Sequence, residues 1–233
     1  MKKQVKETYE KEAEVYDETS RIFEKGRFAY RERKLLAELL NKQGLVLFLA
    51  CGIGRHFKFV INRLGCEIVG IDISVNMIKI AKNKVADIED KQKLHLVVAD
   101  VEHLPFRENI FDSAVCSRAF YLFIDKFKVL EEAYRVLKKG KTLAISSIFK
   151  DLLLTRLGIR AGLLGSDPKQ FPYTSKQLAH MFRKAGFRSI QRKCIVSFTG
   201  EFSFLPRPLL SIINRIEDRL QGGRWVMVIG EKS

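Results

Sequence analysis

The sequence predicts an α/β fold. Its core is a seven-stranded, mostly parallel sheet with helices on both faces. Three observations carry this. Seven short apolar runs recur along the 233 residues. Segments of helical period, with N-cap and stop residues, lie between most of them. The runs are near-continuously apolar rather than alternating, as expected of strands buried on both sides of a parallel sheet.

The elements follow in order. Residues 3–17 and 28–42 read as two amphipathic helices ahead of the first strand. Val46 to Ala50 is that strand, and helical spacing runs from Arg55 to Leu64. Glu67 to Ile71 is the second strand. Ser74 is placed to cap a helix that continues to Val85. Leu94 to Ala99 and Phe111 to Cys116 are strands three and four. Lys126 to Leu137 is a helix, with Lys138-Lys139-Gly140 as a basic last turn and glycine stop. Thr142 to Ser147 is strand five. Thr174 or Ser175 caps a helix that stops at Gly186. Ser189 to Phe198 is strand six, an amphipathic helix lies within 200–223, and Arg224 to Gly230 is the last strand.

Composition excludes several classes. Hydrophobic residues make up 46% and charged residues 30%, a globular balance. No apolar run is long enough to cross a bilayer, and the polar start lacks the apolar stretch of a secretion signal, so the expectation is a cytoplasmic protein. Cys51, Cys66, Cys116 and Cys194 form no C-x-x-C pair and sit near no histidine at ligand spacing, so no metal site is expected. Net charge is +15, and residues 150–233 carry 15 basic against 6 acidic groups. That excess suits an anionic partner, such as RNA, an anionic membrane surface or a phosphorylated substrate, and equally a solvated basic surface.

Ligands of open parallel sheets bind beyond the carboxyl ends of the strands. Four loops there carry suitable residues. After strand one comes Ala50-Cys51-Gly52-Ile53-Gly54, whose small residues let a ligand approach the backbone. Asp72 ends strand two, where a carboxylate can accept two ribose hydroxyls. Asp100-Val101 follows strand three, and Ser117-Arg118 follows strand four with Phe120 and Tyr121 beyond. Each has an ordinary structural explanation alone; four in register carry more weight. A dinucleotide site is disfavoured, because the third glycine of G-x-G-x-x-G would fall on Phe57.

The ordered set of motifs resembles the class I S-adenosylmethionine (SAM)-dependent methyltransferases, in the subgroup of ubiquinone- and menaquinone-biosynthesis enzymes. VLFLACGIGR is similar to the family's V-L-D-x-G-x-G-x-G. GIDISVNMIKIA, ADVEHLPF, FDSAVCSRAFYLF, EEAYRVLKKGKTLAIS and YTSKQLAHMFRKAGF resemble the segments that follow in it. The resemblance implies a single Rossmann-like domain over 1–233 with an antiparallel last strand. Residues 1–43 would form a helical cap, and 150–173 and 200–223 would be substrate-side insertions. It also implies the site. Ala50, Cys51, Gly52 and Gly54 would line the methionine part of SAM. Asp72 would hold the ribose, with Ile73 and Met77 near the adenine. Asp100 and Val101 would read the adenine amine and ring. Ser117 would lie beside the sulfonium, and Tyr16 would close over the cofactor.

Two positions depart from the pattern. Ala50 adds a methyl where the family has glycine. Phe48 replaces the acid that supports the SAM amino group, a loss comparable to one charge-assisted hydrogen bond, about 1.5–3 kcal/mol. On the substrate edge, Tyr121 could orient an acceptor and Arg118 could hold an anionic group. Tyr121 reads equally as a half-buried aromatic, Arg118 as a surface arginine, and His56 as a structural residue inside the first turns of its helix. An N-P-P-Y signature is absent, with SRAF in its place, which disfavours an exocyclic base nitrogen as acceptor. The apolar and basic 150–173 and 200–223 segments would suit a small lipid- or quinone-like acceptor, or an anionic membrane surface, and read also as apolar stripes that merely pack on the sheet. The alternative is an RNA methyltransferase, or a silent relative that binds RNA or another anion.

Overall fold

The computed structural model describes residues 2–24, 27–148, 173–196, 208 and 225–233. Two helices lead, α1 (Lys2–Glu24) and α2 (Arg27–Leu39). Then follow β1 (Leu45–Leu49), α3 (Phe57–Leu64), β2 (Glu67–Asp72), α4 (Val75–Lys84), β3 (Leu94–Val98) and β4 (Phe111–Ser117). The chain continues through α5 (Lys126–Val136), β5 (Leu137–Ile148), α6 (Ser175–Lys184), β6 (Phe187–Val196) and β7 (Trp225–Lys232). The seven strands form one sheet in the order β3-β2-β1-β4-β5-β7-β6. Only β7 runs against its neighbours. The expected fold class is therefore observed, antiparallel strand included.

Strand β1 shows how the two-sided burial works. Its side chains alternate between two hydrophobic cores. Leu47 and Leu49 join the larger core with Phe111, Phe120 and Leu143. Val46 and Phe48 join the other with Leu36 of α2, Phe57 and Val60 of α3, and Ile68 of β2. Both faces being apolar, the strand reads as LVLFL rather than as an alternation.

The caps anticipated for α4 and α6 are formed. Ser74 Oγ accepts from Met77 N–H. Thr174 makes a full capping box with Gln177. The Lys138-Lys139-Gly140 turn is different from the expectation. Helix α5 ends at Val136, and Leu137 already pairs with Phe111 in β5. Register then jumps, so that Ser113 pairs with Thr142. Residues 138–141 thus form a bulge opposite Asp112, with Gly140 at φ 68°. The glycine serves a strand irregularity, not a helix stop. The α5 terminus has Arg135 in its last turn and gains a second cation, Lys232 of β7. Its Nζ donates to the Leu137 carbonyl at 2.8 Å and the Arg135 carbonyl at 3.3 Å.

Sheet order places the site. From β1 the chain winds outward to β2 and β3, then returns to β4 on the other side of β1 and winds outward to β5. The switch point therefore lies between β1 and β4. Helix α1 packs on α4 across this end, and α2 reaches β6. The insertions expected at 150–173 and 200–223 lie outside the described residues, apart from Tyr173 and residue 208. So does the helix expected within 200–223.

Candidate active site

A pocket opens at the carboxyl ends of β1 to β4 and is roofed by α1. Its floor is the turn after β1. Ala50, Cys51 and Gly52 line it, and Cys51 N–H is held by the Ile71 carbonyl at 2.8 Å. Gly52 has φ 52°, and a Cβ there would meet nothing within 4 Å, so the turn leaves open space above its backbone. Gly54 does not line this pocket. Its φ is 68°, and a Cβ would approach the Phe57 ring to 2.5 Å, so this glycine lets α3 pack against the turn. Ala50 holds φ 48° despite its side chain. The departure from glycine therefore stores backbone strain, beyond adding one methyl group.

Asp72 ends β2 in the pocket and is only 8% exposed. Its Oδ2 accepts from Gly52 N–H at 2.8 Å and its Oδ1 from Ser74 N–H at 3.0 Å. Burial pushes its carboxyl above the ordinary value, against the backbone donors of Ser74, Gly52 and Ile73. Ile73 and Met77 stand beside it on the wall. Met77 packs with Ala13, Tyr9 and Tyr16 of α1, which fixes the roof. Tyr16 lines the pocket and lies under the Arg55 guanidinium, 5.0 Å from the ring centroid.

Asp100 and Val101 form the next wall, after β3. Their loop is pinned from below. Arg135 of α5 donates to the carbonyls of Leu104 at 3.1 Å and Phe106 at 2.7 Å, while Glu132 accepts from Leu104 N–H. From above, Lys2 Nζ bonds Asp100 Oδ2 at 2.6 Å and Glu102 Oε2 at 2.7 Å. Burial would raise the Asp100 carboxyl, but the Lys2 ammonium and Glu102 N–H hold it below its usual value.

The end between β1 and β4 is a buried polar cluster. Ser117, Arg118 and His56 line it. Beneath them is Glu32 of α2, fully buried. Its Oε1 accepts from Ser117 Oγ at 2.7 Å and Ser146 Oγ at 2.6 Å. Its Oε2 faces His56 Nε2 at 3.4 Å and Arg118 Nη2 at 3.7 Å. Burial alone would raise the Glu32 carboxyl. The His56 ring, the Arg118 guanidinium and the Ser146 hydroxyl outweigh it and keep the group well below the carboxylate range. Ser117 has one proton and gives it to Glu32, so His56 Nε2, 3.3 Å from Ser117 Oγ, is the donor of that pair.

The surface reading of Arg118 and the placing of His56 are corrected here. Arg118 is not a surface arginine: its side chain is 12% exposed and it lies over the Trp225 ring. His56 stands at the N-cap of α3 rather than inside its turns, and is 4% exposed. Tyr121 is half-buried outside the lining, and burial beside Tyr121 and Tyr16 pushes the Tyr9 phenol of the roof upward. Sequence reading missed Glu32, Lys2 and Tyr9. Glu32 had a signal: Ala29, Glu32, Leu36 and Leu40 share one buried helix stripe, and an acid interrupts it. Among the described residues, no group of three or more His, Cys, Asp or Glu could hold a metal ion.

Comparison with known proteins decides the family. A model of the methyltransferase domain matches residues 47–145. A demethylmenaquinone methyltransferase of Oceanobacillus iheyensis is 30% identical over 192 residues, 72% of this chain and 79% of the relative. The chain belongs to the class I SAM-dependent methyltransferases. A second demethylmenaquinone methyltransferase, from Lactiplantibacillus plantarum, is 26% identical over 75% of this chain and 84% of its own length. Among solved structures, a SAM-dependent methyltransferase of Thermotoga maritima superposes with a TM-score of 0.68 at 22% identity, covering 98% of this chain and 99% of that one. The protein is thus an enzyme that uses SAM to methylate a small molecule. Among the described residues, no helix of this methyltransferase is long and apolar enough to cross a membrane.

Proposed function

We propose that the acceptor is a quinone-type ring and that the pocket between β1 and β4 holds SAM beside it. The alignment of two demethylmenaquinone methyltransferases over about three quarters of the chain carries the acceptor class. The residues present fit the cofactor. Asp72 has lone pairs left after its two backbone bonds and takes the ribose hydroxyls. Asp100 takes the adenine amine, with Val101, Ile73 and Met77 against the ring. The open turn at Ala50, Cys51 and Gly52 receives the methionine portion. Gly54 shapes that turn, and Ser117 lies at the sulfonium end. Tyr16 closes the roof.

SAM supplies an activated methyl group, which moves by in-line displacement. The protein's share is alignment and exclusion of water. Leu122, Phe123 and Ile124 after β4 and Val5 of the roof give the pocket apolar walls suited to an aromatic acceptor. Helices α1 and α2 act as a cap on one catalytic domain. An apolar quinol resides in lipid, and the basic excess of 150–233 suits an anionic membrane surface.

The test is calorimetric titration with SAM and S-adenosylhomocysteine, followed by a methyl-transfer assay on a prenylated naphthoquinol. Binding that is lost in Asp72→Ala, with label entering the quinol, supports the reading. Salt-sensitive RNA binding with no quinol turnover would overturn the acceptor class.

A further inference from the structure

Strand β1 carries Phe48 where the resemblance calls for an acid. The structure shows where a carboxylate stands instead. Phe48 faces the core between β1, α2 and α3, stacked on His56 with ring centroids 6.5 Å apart. From α2, above the same face of β1, Glu32 enters beneath His56, Ser117 and Arg118. The acid at this end stands on the covering helix, and β1 carries none.

The role of this acid rests on the pocket assignment proposed above. With the nucleoside at Asp72 and Asp100, the methionine part occupies the other end of the pocket. A methionine zwitterion in a buried site needs an anion for its ammonium and a cation for its carboxylate. Ser117, His56 and Arg118 line that end, and Glu32 is the carboxylate beneath them, hydrogen-bonded to Ser117 and facing His56 and Arg118 at 3.4 and 3.7 Å. Glu32 Oε2 is buried with no hydrogen-bond partner in the described residues, and so is His56 Nδ1. Glu32 Oε2 has only these two longer ionic contacts, and His56, whose Nδ1 is left over, lines the pocket, so the ring can pass an acceptor to a polar ligand group.

We infer that Glu32 supplies the negative charge for the cofactor's ammonium in place of a strand-one acid, acting through Ser117 and His56. It is a positioning residue: it does not line the pocket, and its effect passes through two side chains that do. Arg118, on the same cluster, provides the opposite charge for the carboxylate.

The test compares three ligands by calorimetry: S-adenosylhomocysteine, its deaminated analogue, and 5′-methylthioadenosine, which lacks the amino-acid tail. The wild type is expected to prefer S-adenosylhomocysteine over the deaminated analogue by roughly tenfold to a hundredfold. In Glu32→Gln that preference shrinks to near unity, while methylthioadenosine binds as before. A merely structural role for Glu32 would weaken all three ligands together, and that result overturns the inference. Should Glu32→Gln not fold, Ser117→Ala carries the same comparison, and an unchanged preference there overturns it too. No binding of any ligand by the wild type would instead overturn the pocket assignment, and this inference with it.

Discussion

At the scale of single residues, the turn after β1 separates two kinds of small residue. Ala50 and Gly54 both hold positive φ. At Ala50 the side chain is accommodated and only backbone strain is paid. Ala50→Gly is therefore expected to leave stability unchanged or raise it by up to about 1 kcal/mol, since lost strain outweighs the added freedom of the unfolded chain. At Gly54 a methyl group would strike the Phe57 ring, so Gly54→Ala should cost about 1–3 kcal/mol. Urea denaturation of the two variants checks both signs. Phe48 is 3% exposed and packs edge-on against Phe57 at 5.3 Å. Phe48→Ala is expected to cost about 3–5 kcal/mol in the same measurement, marking the position as core. The carboxyl ends of the strands were legible because their residues follow apolar runs directly. Glu32 was not, because its partners are 85 and 114 residues away at Ser117 and Ser146.

Elements were legible where their ends carry local chemistry. Ser74 and Thr174 announce α4 and α6 through bonds three residues ahead. The Lys138-Lys139-Gly140 segment was misread because basic residues and a glycine mark a helix end and a strand bulge alike; only the pairing of Phe111 with Leu137 distinguishes them. Helix α1 was expected as a cap; its packing on Met77 and the Glu10 bonds to Ser74 and Asn76 hold it at β2, and one lysine ties it to the β3 side of the pocket. Lys2 binds Asp100, the residue proposed to take the adenine amine, and thereby closes the roof. Lys2→Ala is expected to speed association and dissociation of S-adenosylhomocysteine in stopped-flow fluorescence. Folding stability should change by less than about 1 kcal/mol, because the pair is partly exposed. Unchanged rates would show that α1 is not held by this contact.

For the whole molecule, Glu32 links the cap helix to both β4 and β5, so its ionisation bears on global stability. Its folded carboxyl lies below its ordinary value of 4.5. Below that ordinary value the unfolded chain takes up the proton first, so the Glu32 contribution is present above pH 4.5 and fades as pH falls. Denaturation free energies measured from pH 6 to pH 3 should therefore fall less steeply in Glu32→Gln than in the wild type. Equal slopes would place the group's ionisation outside the folding equilibrium. The parallel sheet was readable because its strands are near-continuous apolar runs, and the resemblance supplied the reversed strand that periodicity cannot; the strand order came only with the pairing.

That reversed strand has a consequence for how the chain is made. Strand β7 leaves the ribosome after β6, yet it lies between β5 and β6 and bonds both. Until residue 232 has emerged, β6 has no neighbour in the sheet, and the outer edge of β5 stays open. The pocket end of the sheet, from β3 to β5, can assemble during synthesis. The far end waits for the late strand, which pairs with β5 and brings β6 into the sheet. An emerging chain of this enzyme therefore exposes unpaired β edges through much of its translation, the stage at which holding chaperones would find it.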